Sequence, residues 1–133
     1  MSAATEPPST RNQPLSDGVS CVIPTHGRPD FLKESISSVL AQTHAVSEIL
    51  VVSDDAEERT KVIVQEMAQK SSIPIIYVDN SQGVGGASSS RNAGARLASA
   101  PKFAFLDDDD LWEPEHLEGL LRTMEAGGVA CGV

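Results

Sequence analysis

The chain has 133 residues, a hydrophobic content of 40% and a formal net charge of −9. That length suits a single domain, burying roughly 68% of its unfolded surface. The acidic balance excludes a broad nucleic-acid-binding face, which needs clustered Lys and Arg, and no apolar run approaches the length of a membrane span.

Residues 1–18, MSAATEPPSTRNQPLSDG, lack the apolar core of a signal peptide, and their Pro, Ser, Thr and Asn content reads as a disordered tail. Residues 19–133 are then the folded domain. VSCVI (Val19–Ile23) is a β-branched apolar run closed by Pro24. Phe31, Ser35, Ile36, Val39 and Leu40 follow at helical spacing, with Pro29 and Asp30 suited to a helix start. EILVV (Glu48–Val52) is a second strand. A polar helix over about Ala56 to Lys70 follows, with Val62, Ile63 and Met67 expected inward. PIIYV (Pro74–Val78) is a third strand. A Gly- and Ser-rich loop and an Ala-rich helix over about Ser88–Ser99 come next. FAFL (Phe103–Leu106) is a fourth strand. A helix from about Pro114 to Glu125 places Leu117, Leu120, Leu121 and Met124 on one face, and GGVACGV at the end of the chain reads as a fifth strand. Cys21 and Cys131 lie in apolar runs, with no CxxC or zinc spacing. They are expected as buried free thiols in a reducing compartment, which places the chain in the cytoplasm, with any membrane association made through a partner.

Short apolar strands alternating with helices predict an α/β fold with a doubly wound, mostly parallel sheet. Ligands bind such sheets at the carboxyl ends of the strands. Four segments there are polar: PTHGRPD, SDDAEE, DNSQGVGG and DDDD. The last is the most telling, because adjacent carboxylates repel. Alternate residues of an extended segment share a face, so Asp107 and Asp109 are expected to point one way and Asp108 another. Paired carboxylates are what a hard cation, Mn2+ or Mg2+, takes together with phosphate oxygens. Helix capping is the competing account, but four acids exceed what a cap needs. An EF-hand starting at Asp107 fails, with Leu111 at its fifth position and Trp112 where Gly is required.

The remaining rim residues leave alternatives open. Asp54 and Asp55 suit either a base or ribose contact or a helix cap. The GVGGASSS loop lacks the ending of a P-loop and the spacing of GxGxxG. Arg91 suits a phosphate or a surface salt bridge. His26 stands in the first rim loop, whereas His44 and His116 are expected at the surface.

The segments VSCVIPTHGRPDFLKESISSVLAQTH, EILVVSDD and SSSRNAGARLASAPKFAFLDDDDLWEPEHLE, in that order, resemble the amino-terminal half of a family 2 glycosyltransferase. The resemblance runs from about Val19 to the end of the chain. It implies the GT-A fold and a nucleotide-diphosphate sugar donor, with a UDP-sugar favoured and an acceptor of unspecified identity. By resemblance, Thr25 and the segment His26 to Arg28 line the nucleoside pocket. Asp54 accepts a hydrogen bond from the base, and Arg91 and Asn92 are the family's Arg-Asn pair. Asp107 to Asp109 are its DxD element, with Asp109 the direct metal ligand and Asp107 or Asp108 near ribose and metal waters. This chain departs from the family at His26-Gly27, often Tyr-Asn, and at Ser53, usually aspartate. The resemblance also implies that the general base and most of the acceptor site come from the family's second half. No catalytic residue is therefore assigned here, and the expected role is the donor half-site of a metal-dependent, inverting glycosyltransferase. The alternative is a nucleotide or nucleotide-sugar binding module without turnover. A phospho-receiver domain is disfavoured, because Pro24-Thr25 follow the first strand and the acidic cluster follows the fourth.

Overall fold

The computed structural model describes residues 18–83 and 85–125. Strands and helices alternate: β1 (Val19–Thr25), α1 (Pro29–Leu40), β2 (Glu48–Ser53), α2 (Glu58–Lys70), β3 (Ile75–Asp79), α3 (Gly86–Leu97), β4 (Lys102–Phe105) and α4 (His116–Glu125). The strands pair in parallel in the order β3-β2-β1-β4. This is the doubly wound α/β sheet expected from the alternation. The tail residues 1–17, Cys131 and the segment expected as a fifth strand lie outside the described residues.

Every residue of β1 and β2 is buried, as their continuous apolar runs require of central strands. Their side chains alternate between two cores. Cys21, Ile23, Ile49 and Val51 face α1, Val64 of α2, and Leu117 and Leu121 of α4. Val22, Leu50 and Val52 face Ala93 of α3. Burial pushes the Cys21 thiol well above its ordinary pKa, so it is a packing residue and not a reactive one.

The helices are rotated slightly from the expected phase. In α1 the buried positions are Pro29, Leu32, Ser35, Ile36 and Val39, whereas Phe31 is 58% exposed. Leu32, Ile36 and Val39, all fully buried in the core, define that face, and Ser35 lies on it with its hydroxyl reaching carbonyls across the sheet end. In α2 the fully inward residues are Thr60 and Val64; Val62 is exposed, and Ile63 and Met67 are half-buried. Met124 of α4 is also exposed. His116 is not a simple surface residue: its ring stacks on Trp112 with centroids 4.8 Å apart, and burial lowers its pKa.

A buried carboxylate braces the end of the sheet opposite the rim. Glu48 Oε2 accepts from Ser20 Oγ and from Ser99 N, each at 2.7 Å. Burial pushes its pKa up, but these bonds outweigh it and hold the group below its ordinary value.

Helix α3 lies close against the sheet because Gly94 has no side chain. A Cβ at this position would stand 2.4 Å from Val22 Cγ1 and 3.2 Å from Val52 Cγ2. Glycine to alanine inside a helix normally gains up to about 1 kcal/mol. Here overpacking, at about 1–3 kcal/mol, opposes that gain. Gly94→Ala is therefore expected to lower the unfolding free energy by about 1–2 kcal/mol in urea denaturation; a stabilised variant would contradict the tight α3–sheet contact.

Candidate functional site

The chain runs outward from β1 through β2 to β3, and then α3 returns it across the opposite face to β4. The loops leaving β1 and β4 therefore diverge, and the crevice between them is a topological switch point. A cavity of about 340 Å3 occupies it. The end of β1 contributes Thr25, His26 and Arg28, the end of β2 contributes Asp54, and α3 contributes Ala87, Ser90 and Arg91. Asp107, Asp108 and Asp109 close the remaining side.

Asp108 organises this rim. It is only 6% exposed. Its Oδ2 accepts from Thr25 Oγ1 at 2.9 Å and from His26 N at 3.2 Å, and its Oδ1 lies 3.4 Å from Arg28 Nη1. A buried carboxylate is tolerated only with such donors. Its neighbours turn the other way. Asp107 Oδ1 accepts from Arg91 Nη2 at 2.9 Å, and Asp109 Oδ2 from Arg28 Nη1 at 2.8 Å. The expected alternation is present, with one addition: Asp107, Asp109 and Asp110 each offer an oxygen within 4.8 Å of the others. An octahedral Mg2+ or Mn2+ with bonds of about 2.1 Å has oxygens about 3 to 4.2 Å apart. Hard carboxylate oxygens at this spacing fit such an ion with small adjustments.

Helix α1 holds the acidic loop in place. Ser35 Oγ lies 2.9 Å from Asp108 O and 2.6 Å from Asp110 O, and Ser38 Oγ accepts from Trp112 N at 3.2 Å. Just beyond the helix, Gln42 Nε2 donates to Glu113 O at 2.6 Å, and its Oε1 accepts from Leu117 N at 2.9 Å. These residues were not anticipated as part of the site. The signal was present: 35, 38 and 42 form a polar row at helical spacing beside the apolar stripe.

Asp54 faces the cavity with its side chain 12% exposed. Its Oδ1 is 2.6 Å from His26 Nδ1, and its Oδ2 accepts from Gly86 N at 3.1 Å. Gly85 and Gly86 have φ of +91° and +86°, which lets the start of α3 come up to this carboxylate. Asp55 instead stabilises the turn before α2, accepting from Ser53 Oγ at 3.0 Å and Glu57 N at 3.3 Å, although its Oδ2 is 3.8 Å from His26 Nδ1. Ser53 Oγ in turn accepts from Ala56 N at 3.0 Å. Arg91 belongs to the site: besides bonding Asp107, its guanidinium lies 6.0 Å from the Phe105 ring centroid. Asn92 is exposed and is not among the cavity residues, since one residue along a helix turns about 100° away. Ser90 was also not anticipated. It is 1% exposed and its Oγ has no hydrogen-bond partner, a state that costs a buried hydroxyl about 1–3 kcal/mol.

The glycosyl transferase family 2 model matches residues 20–133. The chain belongs to glycosyltransferase family 2. A glycosyltransferase of Nostoc sp. is 34% identical over 114 residues, covering 84% of this chain and 34% of that protein. The UDP-Glc:alpha-D-GlcNAc-diphosphoundecaprenol beta-1,3-glucosyltransferase WfgD of Escherichia coli is 38% identical over 106 residues, covering 80% and 40%. The chain thus spans well under half the length of these curated relatives. Among solved structures, S. aureus TarS in complex with UDP-GlcNAc superposes with a TM-score of 0.70 at 22% identity, covering 82% of this chain and 31% of TarS. The mannosyltransferase PcManGT of Pyrobaculum calidifontis, solved with GDP-Man and Mn2+, gives 0.62 at 22% identity, covering 71% and 28%. These likenesses place the family 2 chain in the GT-A fold.

Two measurements probe the rim. Asp108→Ala strands the Thr25 hydroxyl and the His26 amide, and is expected to cost about 2–3 kcal/mol in urea denaturation. Asp109→Ala, at a side chain 49% exposed, should stay within about 0.5 kcal/mol. Equal effects would remove Asp108 from its organising position. The hydrogen bond that His26 donates to Asp54, with the charges of Asp54 and Asp55, raises the His26 pKa. NMR titration should place the His26 midpoint above 6.5, and Asp54→Asn should bring it back down. The sign is that of an imidazolium favoured by the fold: its stabilisation is complete below pH 6.5 and disappears as pH rises through the folded value.

Proposed function

We propose that this chain is the donor half-site of a metal-dependent, inverting glycosyltransferase that moves a sugar from a nucleotide-diphosphate sugar to an acceptor hydroxyl. A UDP-sugar is the favoured donor. The observation that carries this reading is the arrangement around Asp108. One buried carboxylate ties the acidic loop to Thr25 and Arg28, while Asp107 and Asp109 line the cavity and Asp110 offers an oxygen within 4.8 Å of theirs. The complexes of TarS with UDP-GlcNAc and of PcManGT with GDP-Man and Mn2+ support the same assignment.

In this reading Asp109, with Asp107 and Asp110, holds Mn2+ or Mg2+. The bound ion supplies charge neutralisation to the diphosphate and to the leaving group as its charge develops. Thr25, His26 and Asp54 border the nucleoside end. Arg28 and Arg91 offset part of the acidic charge, and each can turn a guanidinium N–H toward a phosphate oxygen. Asp108 acts through position, because both its oxygens are already engaged by the chain's own donors. Deprotonation of the acceptor is assigned to residues that the family carries after this region.

Calorimetric titration of UDP, GDP and ADP with and without Mn2+ tests the proposal. UDP is expected to bind with Mn2+ and to lose at least tenfold in affinity without it. Asp109→Asn, which keeps the side-chain volume but weakens the ligand, should lose a similar factor. A folded chain that binds no nucleotide in the presence of Mn2+ would refute the donor-site assignment.

A further inference from the structure

We infer that Ser90 reads the nucleobase: its buried hydroxyl hydrogen-bonds the polar edge of the base and so contributes to the choice of nucleotide. This rests on the donor-site reading above and extends it to a residue whose only chemistry is a neutral hydroxyl.

Ser90 lies in the first half of α3, is 1% exposed and lines the cavity. Its Oγ has no hydrogen-bond partner within the protein. Buried polar atoms are almost always paired, and a helical serine has a ready acceptor in the carbonyl one turn back. Ser90 does not use it. The other polar side chains of the cavity are occupied. Thr25 donates to Asp108, Arg28 bridges Asp108 and Asp109, and Arg91 holds Asp107. Asp54 has one oxygen on His26 and the other on Gly86. Among the described residues lining the cavity, Ser90 Oγ is the buried polar atom that waits for a ligand to satisfy it.

The surroundings indicate which part of a nucleotide that is. The carboxylates at the end of β4, with their two arginines, form the charged end of the cavity, suited to a cation and diphosphate. The residues beside Ser90 differ in character. Ala87 is three positions earlier on the same helical face, and Pro24 ends the β1 side. A neutral hydroxyl on the same cavity as Ala87 and Pro24 suits the polar edge of a flat, uncharged ring, whereas the arginines on either side of the acidic run suit a phosphate. The two ends of the early α3 segment fix its place: Gly86 is bonded to Asp54, and Arg91 to Asp107. Ser90 lies between those anchors on the helix, one residue before Arg91, so a base it bonds would adjoin the charged end. A buried hydroxyl discriminates because a base with no polar atom in reach leaves it unpaired. Being both donor and acceptor, it selects by the position of that atom.

The test uses the 133-residue chain with Mn2+ and titrates UDP, CDP, GDP, ADP, 2′-deoxy-UDP and inorganic diphosphate into wild type, Ser90→Ala and the nearly isosteric Ser90→Cys. Both variants are expected to bind the preferred nucleotide about 5- to 10-fold more weakly, to bind the other bases within about twofold of wild type, and to leave inorganic diphosphate unchanged. The loss should persist with 2′-deoxy-UDP if UDP is preferred. Thermal unfolding of the free Ser90→Ala chain should be unchanged or shifted upward, since the substitution removes an unpaired buried hydroxyl; a structural serine would shift it down. Equal weakening of every nucleotide and of diphosphate would move the contact to the phosphates, and a loss confined to ribonucleotides would move it to the ribose. Unchanged nucleotide binding would make Ser90 inert. Each of these overturns base reading while leaving the donor site intact. Absence of nucleotide binding by folded wild type would overturn both.

Discussion

The rim of this domain depends on one buried carboxylate. The carboxyl of Asp108 is buried, and Thr25, the His26 amide and Arg28 all direct donors at it. This accounts for four aspartates in a row. One turns inward and fastens the β4 end to the β1 loop. Its neighbours Asp107 and Asp109 must then turn outward, and Asp110 joins them as the loop bends. The repulsion among the outward three is partly offset by Arg28 and Arg91. Three carboxylates against two guanidinium groups, one of them shared with Asp108, leave an excess of negative charge that a divalent cation can neutralise.

The two layers of helices serve this rim differently. Helix α1 is a brace: it buries an apolar stripe in one core, and its row of Ser35, Ser38 and Gln42 satisfies backbone groups of the acidic loop and of the start of α4. Helix α3 is a floor. The missing side chain of Gly94 lets it lie low over β1 and β2, the two positive-φ glycines at its start bring it up to Asp54, and Ala87, Ser90 and Arg91 line the cavity.

The places where this chain departs from its family meet in space. His26 stands where the family often has Tyr, and Ser53 where it usually has Asp. In the fold, His26 bonds Asp54, while Ser53 and Asp55 build the turn that presents Asp54. The departures thus alter the environment of one carboxylate, Asp54, on the β2 side of the cavity. The acidic run stands on its β4 side.

The order of elements, the parallel sheet and the clustering of rim segments were legible from the sequence, because apolar runs of strand length and helical spacing report burial directly. That the acidic run, Thr25 and Asp54 lie on one rim was legible as well, since strand ends in such sheets converge on one edge; Arg91, inside α3, was singled out by the family resemblance. Helix phase was not: Phe31 in α1 and Val62 in α2 are apolar yet exposed, because the inward face of each helix is the one that packs on the sheet, through Leu32, Ile36 and Val39 in α1 and Val64 in α2. Asn92 looked equivalent to Arg91 in sequence, but helix geometry takes it off the cavity. The division of labour among the aspartates, the role of Gln42 and the unpaired hydroxyl of Ser90 depend on which donors lie within about 3 Å in space. Periodicity along a chain carries the pattern of burial; only the packed tertiary structure decides which buried polar atoms find partners and which, like Ser90 Oγ, do not.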